Sequence, residues 1–166
     1  MEAKVSIIMG STSDLPVMEE GANVLAEFGV PFEMRISSAH RSPQRTASLA
    51  AEAAGRGVRV IIAGAGMAAH LAGVIAAETC LPVIGVPIGG GALNGLDALC
   101  STVQMPGGVP VATMAIGPAG ARNAGIFAVQ ILALNDASLT GKLKAYREKM
   151  AREVEEKDLQ LQKAGK

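Results

Sequence analysis

Val58-Arg-Val-Ile-Ile-Ala63, followed by Gly64-Ala-Gly66, is the stretch whose reading decides the fold. Apart from Arg59 it is apolar at successive rather than alternate positions, so an extended chain here needs cover on both faces, as in a parallel sheet flanked by helices. The same pattern repeats on either side. Upstream, Val5-Ser-Ile-Ile-Met9 ends at Gly10-Ser-Thr-Ser-Asp14 and leads into a helix from Pro16 to Phe28, with Val17, Val24, Leu25 and Phe28 on one side and Gly29 as its stop. Pro31-Phe-Glu-Met-Arg-Ile36 reads as the next strand, and Ser42-Pro43 as N-cap and first residue of a helix running to about Ala54, closed by Gly55-Arg-Gly57. Downstream come a helix from Ala68 to Glu78, a strand at Pro82-Val-Ile-Gly-Val86, a mobile glycine-rich loop from Pro87 to Gly95, a short helix around Leu96 to Met105 and a strand at Val111-Ala-Thr-Met-Ala115. Five apolar strands alternating with helices predict an α/β protein, its parallel sheet covered on both faces and wound with right-handed crossovers.

With 166 residues, 49% hydrophobic and 18% charged, the chain has the material for one domain spanning 1–166. Fifteen basic and fifteen acidic residues cancel, which leaves no electrostatic case for nucleic acid or an anionic membrane as partner. No run approaches the roughly 18 uninterrupted apolar residues of a membrane span, and no basic segment with a long apolar stretch opens the chain, so a soluble cytoplasmic protein is expected. Cys80 and Cys100 are expected to be small buried hydrophobes. Ala124 to Leu134 is apolar on nearly every side of a helix, more surface than one sheet buries. The segment 137–166 reads as a charged C-terminal helical extension whose Leu139, Leu143, Tyr146, Met150, Val154 and Leu161 form one apolar stripe, expected to meet another subunit.

The chemistry gathers at the strand ends. Ser37-Ser-Ala-His-Arg41 lies between a strand and a helix start, where free N–H groups and the helix dipole favour an anion. Ser11, Ser13 and Asp14 follow the first strand; Asp14 is either a helix cap or, with the hydroxyls holding phosphate, a carboxylate for ribose hydroxyls. In a doubly wound sheet of order 2-1-3-4-5 the Ser11, His40 and Gly64 turns converge at the switch point. There His40, with Arg41 favouring its neutral form, suits proton transfer near pH 7. Gly64-Ala-Gly-Met-Ala-Ala69 matches a dinucleotide fingerprint, but no acidic residue follows for the ribose. Gly141-Lys142 is not a P-loop, and His40 and His70 have no partners at metal-ligand spacing. No Trp, one Tyr and three Phe leave little on which a flavin could stack.

Four segments carry a resemblance: Gly-Ser-Thr-Ser-Asp at 10–14, Ser-Ala-His-Arg at 38–41, Ala-Gly-Ala-Gly-Met-Ala-Ala-His-Leu-Ala-Gly at 63–73, and Gly-Leu-Asp-Ala-Leu-Cys-Ser-Thr-Val-Gln-Met-Pro-Gly-Gly-Val-Pro-Val at 95–111. In order and spacing, over nearly the whole chain, they resemble the N5-carboxyaminoimidazole ribonucleotide mutase family of purine biosynthesis. The resemblance implies a flavodoxin-like three-layer sandwich with sheet order 2-1-3-4-5 and an extra C-terminal helix, a homo-octamer, and isomerisation of N5-carboxyaminoimidazole ribonucleotide to the 4-carboxylate with no metal, ATP, biotin or other cofactor. It places phosphate and ribose contacts on Ser11, Ser13, Asp14, Ser38 and Arg41, proton transfer on His40, and carboxylate handling on Ala65, Gly66, His70 and Leu71. Met67 stands where the family commonly has glycine, and Ala72 where it has proline. A related family that carboxylates aminoimidazole ribonucleotide directly tends to carry Ser-Ala-His-Lys and an Arg-Ser-Asn turn, so Arg41 and Ala65-Gly66-Met67 favour the mutase. A non-catalytic ribonucleotide-phosphate sensor would share the Ser11, Asp14 and Arg41 contacts without needing the imidazole.

Overall fold

A computed structural model describes residues 2–165. Strands β1 (Val5–Met9), β2 (Phe32–Ile36), β3 (Val60–Gly66), β4 (Val83–Ile88) and β5 (Ala112–Thr113) form one parallel sheet in the order β2-β1-β3-β4-β5. Helices α1 (Leu15–Phe28), α2 (Pro43–Ala51), α3 (Leu71–Glu78), α4 (Leu96–Val103) and α5 (Pro118–Ala133) each follow a strand and so begin at the same sheet edge, and α6 (Ala137–Ala164) completes the chain.

Alternation along the strands divides the core in two, which accounts for the nearly continuous apolar runs of β1, β3 and β4. Val5, Ile7 and Met9 of β1, Val60 and Ile62 of β3, and Ile84, Val86 and Ile88 of β4 face α1 and α5. Ile8, Ile61, Ala63 and Val83 point the other way, against Ala50, Leu71, Ala72 and Ile75 of α2 and α3. The α1–α5 contact is close because its meeting residues are small. A Cβ on Gly21 would lie 2.9 Å from the Ala121 carbonyl oxygen, and one on Gly125 would lie 2.8 Å from that of Gly21.

Several boundaries differ from the sequence reading. The fifth strand spans two residues rather than the expected 111–115, and β4 runs on through Pro87 to Ile88. The two differences have one cause. Met114 N–H donates to the Gly85 carbonyl and Gly117 N–H to that of Pro87, so this side of β4 faces β5, and proline lacks the N–H for the next rung. The helix expected from Ala68 begins at Leu71, because Met67 adopts φ 55° and turns the chain first. Ser42 does occupy the α2 N-cap position, but its hydroxyl caps nothing ahead of it and turns back to Ser38. Cys80 and Cys100 are exposed, not buried. Cys80 lies in the turn after α3, and Cys100 is on the outer face of α4, whose inward positions are Ala98 and Thr102.

The tail stripe divides. Leu139, Leu143 and Tyr146 pack on the domain's own core, whereas Met150, Val154 and Leu161 are 42%, 67% and 73% exposed. Lys142 anchors the base of α6 by donating from Nζ to the Phe28 carbonyl at 2.7 Å, satisfying the end of α1. No helix among the described residues is long and apolar enough to cross a membrane.

Candidate active site

A cleft of about 620 Å³ opens at the carboxyl ends of β1, β2 and β3. Its lining includes all ten residues singled out from the sequence: Ser11, Ser13, Asp14, Ser38, His40, Arg41, Ala65, Gly66, His70 and Leu71. Gly89, Gly90 and Gly91 close one side, and Ile88 and Ala68 complete the apolar wall.

After β1 the chain makes a single 3-10 turn, Thr12–Asp14, before entering α1. Ser11 Oγ accepts from Ser13 N–H at 3.3 Å and Asp14 Oδ2 accepts from Ser11 N–H at 3.0 Å, a reciprocal cap of that turn. Asp14 therefore does cap, but backwards; its side chain gives α1 no hydrogen bond. Burial pushes the Asp14 carboxyl above its ordinary 3.8, opposed by the hydrogen bond from Ser11 N–H, by the nearby polar groups of Gly10 and Ser13 and by the charge of Arg41. A carboxyl whose folded pKa is raised favours folding most when protonated, and that advantage disappears as pH rises through the folded value. At neutral pH the ionised Asp14 is an under-solvated acceptor, suited to hydroxyl donors from a ligand.

The second turn is held at its neck. Ser42 N–H donates to the Ser38 carbonyl at 2.8 Å, and Ser42 Oγ both accepts from Ser38 N–H at 3.1 Å and donates to the Ser38 carbonyl at 3.0 Å. Ser38 Oγ accepts from Arg41 N–H at 3.2 Å and from Arg41 Nε at 3.4 Å, while Arg41 Nη2 donates to the Gly10 carbonyl at 3.1 Å. The guanidinium thus ties the β2 turn to the β1 turn. As Ser38 Oγ only accepts in these contacts, its own proton is free for a ligand.

The third turn carries Ala65, Gly66 and His70. A Cβ on Gly66 would lie 3.2 Å from the Ile88 carbonyl oxygen, so glycine lets β3 and β4 run side by side to the cleft. Met67 is 63% exposed in a left-handed conformation that costs a side-chain residue about 1–2 kcal/mol. Ala72 is the second residue of α3, where proline and alanine both fit because the N–H there has no intrahelical partner. Leu71 is 2% exposed and belongs mainly to the core beneath the cleft.

Sequence reasoning missed one contact of consequence. His40 Nε2 and His70 Nδ1 approach to 2.7 Å, with ring planes 82° apart. Such a contact needs one N–H and one bare nitrogen, so the two rings share a proton. The only signal available was that β2 and β3 flank β1; how the two side chains reach across it is a matter of rotamers.

A sheet of this order with its cleft at the switch point defines a flavodoxin-like α/β protein. The family model described as AIR carboxylase matches residues 4–153, and the chain belongs to that family. It is 56% identical over 161 residues to a Pyrococcus horikoshii protein named N5-carboxyaminoimidazole ribonucleotide mutase, covering 97% of this chain and 90% of the relative. A Bacillus subtilis protein of the same name is 54% identical over 161 residues, covering 97% and 99%. The crystal structure of Treponema denticola PurE superposes with a TM-score of 0.84 at 30% identity, covering 95% of this chain and 97% of that one.

Proposed function

We propose that this chain is an isomerase of de novo purine biosynthesis that converts N5-carboxyaminoimidazole ribonucleotide to 4-carboxy-5-aminoimidazole ribonucleotide. The observation that carries the reading is one cleft joining anion-holding hydroxyls to a hydrogen-bonded imidazole pair, 2.7 Å apart, in a chain of this family. Ser11, Ser13, Ser38 and Arg41 hold the phosphate and Asp14 the ribose hydroxyls. The N-carboxylate leaves as carbon dioxide when its C–N bond breaks, and the electron-rich carbon 4 attacks it within the cleft. His40 takes the proton from carbon 4 and returns it to the exocyclic nitrogen, so neither protons nor electrons are gained or lost overall. Ala65, Gly66, His70 and Leu71 flank the migrating carboxylate, and the Gly89 to Gly91 loop retains the gas. Confinement replaces a bimolecular recapture.

The family's description as AIR carboxylase leaves direct carboxylation of aminoimidazole ribonucleotide as the second reading, and isotope labelling separates the two. Starting from unlabelled N5-carboxyaminoimidazole ribonucleotide in 13C-bicarbonate, NMR is expected to show conversion with little label in the product. Full equilibration with solvent label in the first turnovers, together with efficient carboxylation of aminoimidazole ribonucleotide at modest carbon dioxide, would establish the carboxylase instead. Binding without conversion over hours would leave a ribonucleotide-phosphate sensor.

The working form is a cytoplasmic homo-octamer, a reading supported by the incompletely covered apolar residues Ile126, Phe127 and Ile131 of α5 and by the exposed half of the α6 stripe. Deleting residues 150–166 removes Met150, Val154 and Leu161 yet keeps the part of α6 that covers the domain's own core. Light scattering is expected to show a smaller species or aggregation. An intact, fully active octamer would make the distal helix dispensable to assembly.

A further inference from the structure

Behind the turn that bears His40 and Arg41 lie two hydroxyls in the core. Ser37 is 2% exposed and Thr46 0%, and neither lines the cleft. Their oxygens are 2.8 Å apart. Thr46 Oγ1 also donates to the Ser42 carbonyl at 3.2 Å. A hydroxyl has one proton, and with that of Thr46 directed to Ser42, the Ser37 proton must go to Thr46. The chain of donors is therefore ordered: Ser37 to Thr46, Thr46 to Ser42, and Ser42 to Ser38, whose Oγ receives Arg41. Ser37 N–H is fixed in turn to the end of β1, at 2.9 Å from the Met9 carbonyl.

We infer that Thr46 and Ser37 are positioning residues for the reaction. Their buried bond pins the first turn of α2 to the end of β2 and thereby sets the height at which the Ser38–Ser42 turn presents His40 and Arg41. Burying two hydroxyls gains little net stability over apolar side chains of the same shape, whereas leaving one unpaired is costly. A pair here is thus better explained by placement than by stability. Proton transfer and phosphate clamping depend on sub-ångström placement, and an error of about 1 Å costs up to about a hundredfold in rate.

The inference rests on the proposed reaction, and the test keeps the two separable. Thr46→Val leaves the Ser37 hydroxyl unpaired; the Ser37→Ala/Thr46→Val double variant removes both hydroxyls and restores an apolar fit; Thr46→Ser keeps the hydroxyl. Each is assayed for thermal melting, for steady-state isomerisation at a temperature where all are folded, and for binding of ribose 5-phosphate by calorimetry. The double variant is expected to melt near the wild type, yet to lose about tenfold in kcat and to bind ribose 5-phosphate several-fold more weakly, while Thr46→Ser recovers both. A double variant that regains wild-type kcat and affinity along with its melting temperature overturns the inference and leaves the pair purely structural. If the wild type binds ribose 5-phosphate but shows no isomerisation, the proposed reaction fails, and the affinity comparison among the variants still decides the positioning role.

Discussion

Replacing His40 by asparagine is expected to lower turnover by about a hundredfold to ten-thousandfold, the range set by loss of a positioned general acid–base group. Asparagine keeps a polar group facing His70 but can neither accept the carbon 4 proton nor release it to the nitrogen. Ligand affinity is expected to change little. The phosphate and ribose contacts are assigned to Ser11, Ser13, Asp14, Ser38 and Arg41, and the neck of the turn is held by Ser42, which the substitution does not touch. Initial rates by NMR and calorimetric affinity for the product, on the same preparation, give the comparison. A variant within about tenfold of wild-type turnover would move the proton transfer elsewhere, with His70 as the next candidate because it already shares a proton with His40.

The largest expected effect on stability comes from one methyl group. A Cβ on Gly120, in the first turn of α5, would overlap the backbone carbonyl of Ala115. Neither partner is the tip of a flexible side chain, so no rotamer change relieves the clash. The turn between them is itself fastened to β4 by Gly117 N–H on the Pro87 carbonyl and to α5 by Ala121 N–H on the Gly117 carbonyl. Gly120→Ala is therefore expected to destabilise by about 3 kcal/mol or more, the upper end of overpacking. In a domain of this size that lowers Tm by roughly 6–12 °C. Gly55→Ala serves as the control, because a Cβ there meets nothing within 4 Å and the backbone is not left-handed. Calorimetry of the two variants would settle it: equal Tm values would mean that the Ala115 turn gives way freely.

Much of this architecture was legible in the sequence. The apolar runs at 5–9, broken only by Ser6, and at 60–63 read as strands covered on both faces, and the sheet order was the one that the family resemblance implied. The cleft was legible for the same reason, since in such a sheet the turns after β1, β2 and β3 have to meet. What escaped the reading depended on geometry that spacing does not encode. Pro87 looked like the end of a strand, but its missing N–H faces the sheet edge, so the strand continues and its neighbour stops instead. Ser42 carried a helix-cap signature that its hydroxyl does not fulfil, because the Ser38 backbone offers it both a donor and an acceptor. The cysteines looked buried from their apolar surroundings alone, whereas the inner face of α4 is carried by Ala98 and Thr102 and leaves Cys100 outside.

Five helices beginning at one sheet edge have a kinetic consequence. The chain as a whole is neutral, so it exerts no long-range pull on an anionic metabolite. Each helix start nevertheless carries about half a positive charge, and Arg41 adds a full one beside the first two. Under physiological salt such a field fades within about 8 Å. Capture is therefore short-sighted: a phosphorylated substrate diffuses up unguided and is gripped only on entering the mouth of the cleft. Added salt would then shorten its stay there while leaving its rate of arrival almost unchanged.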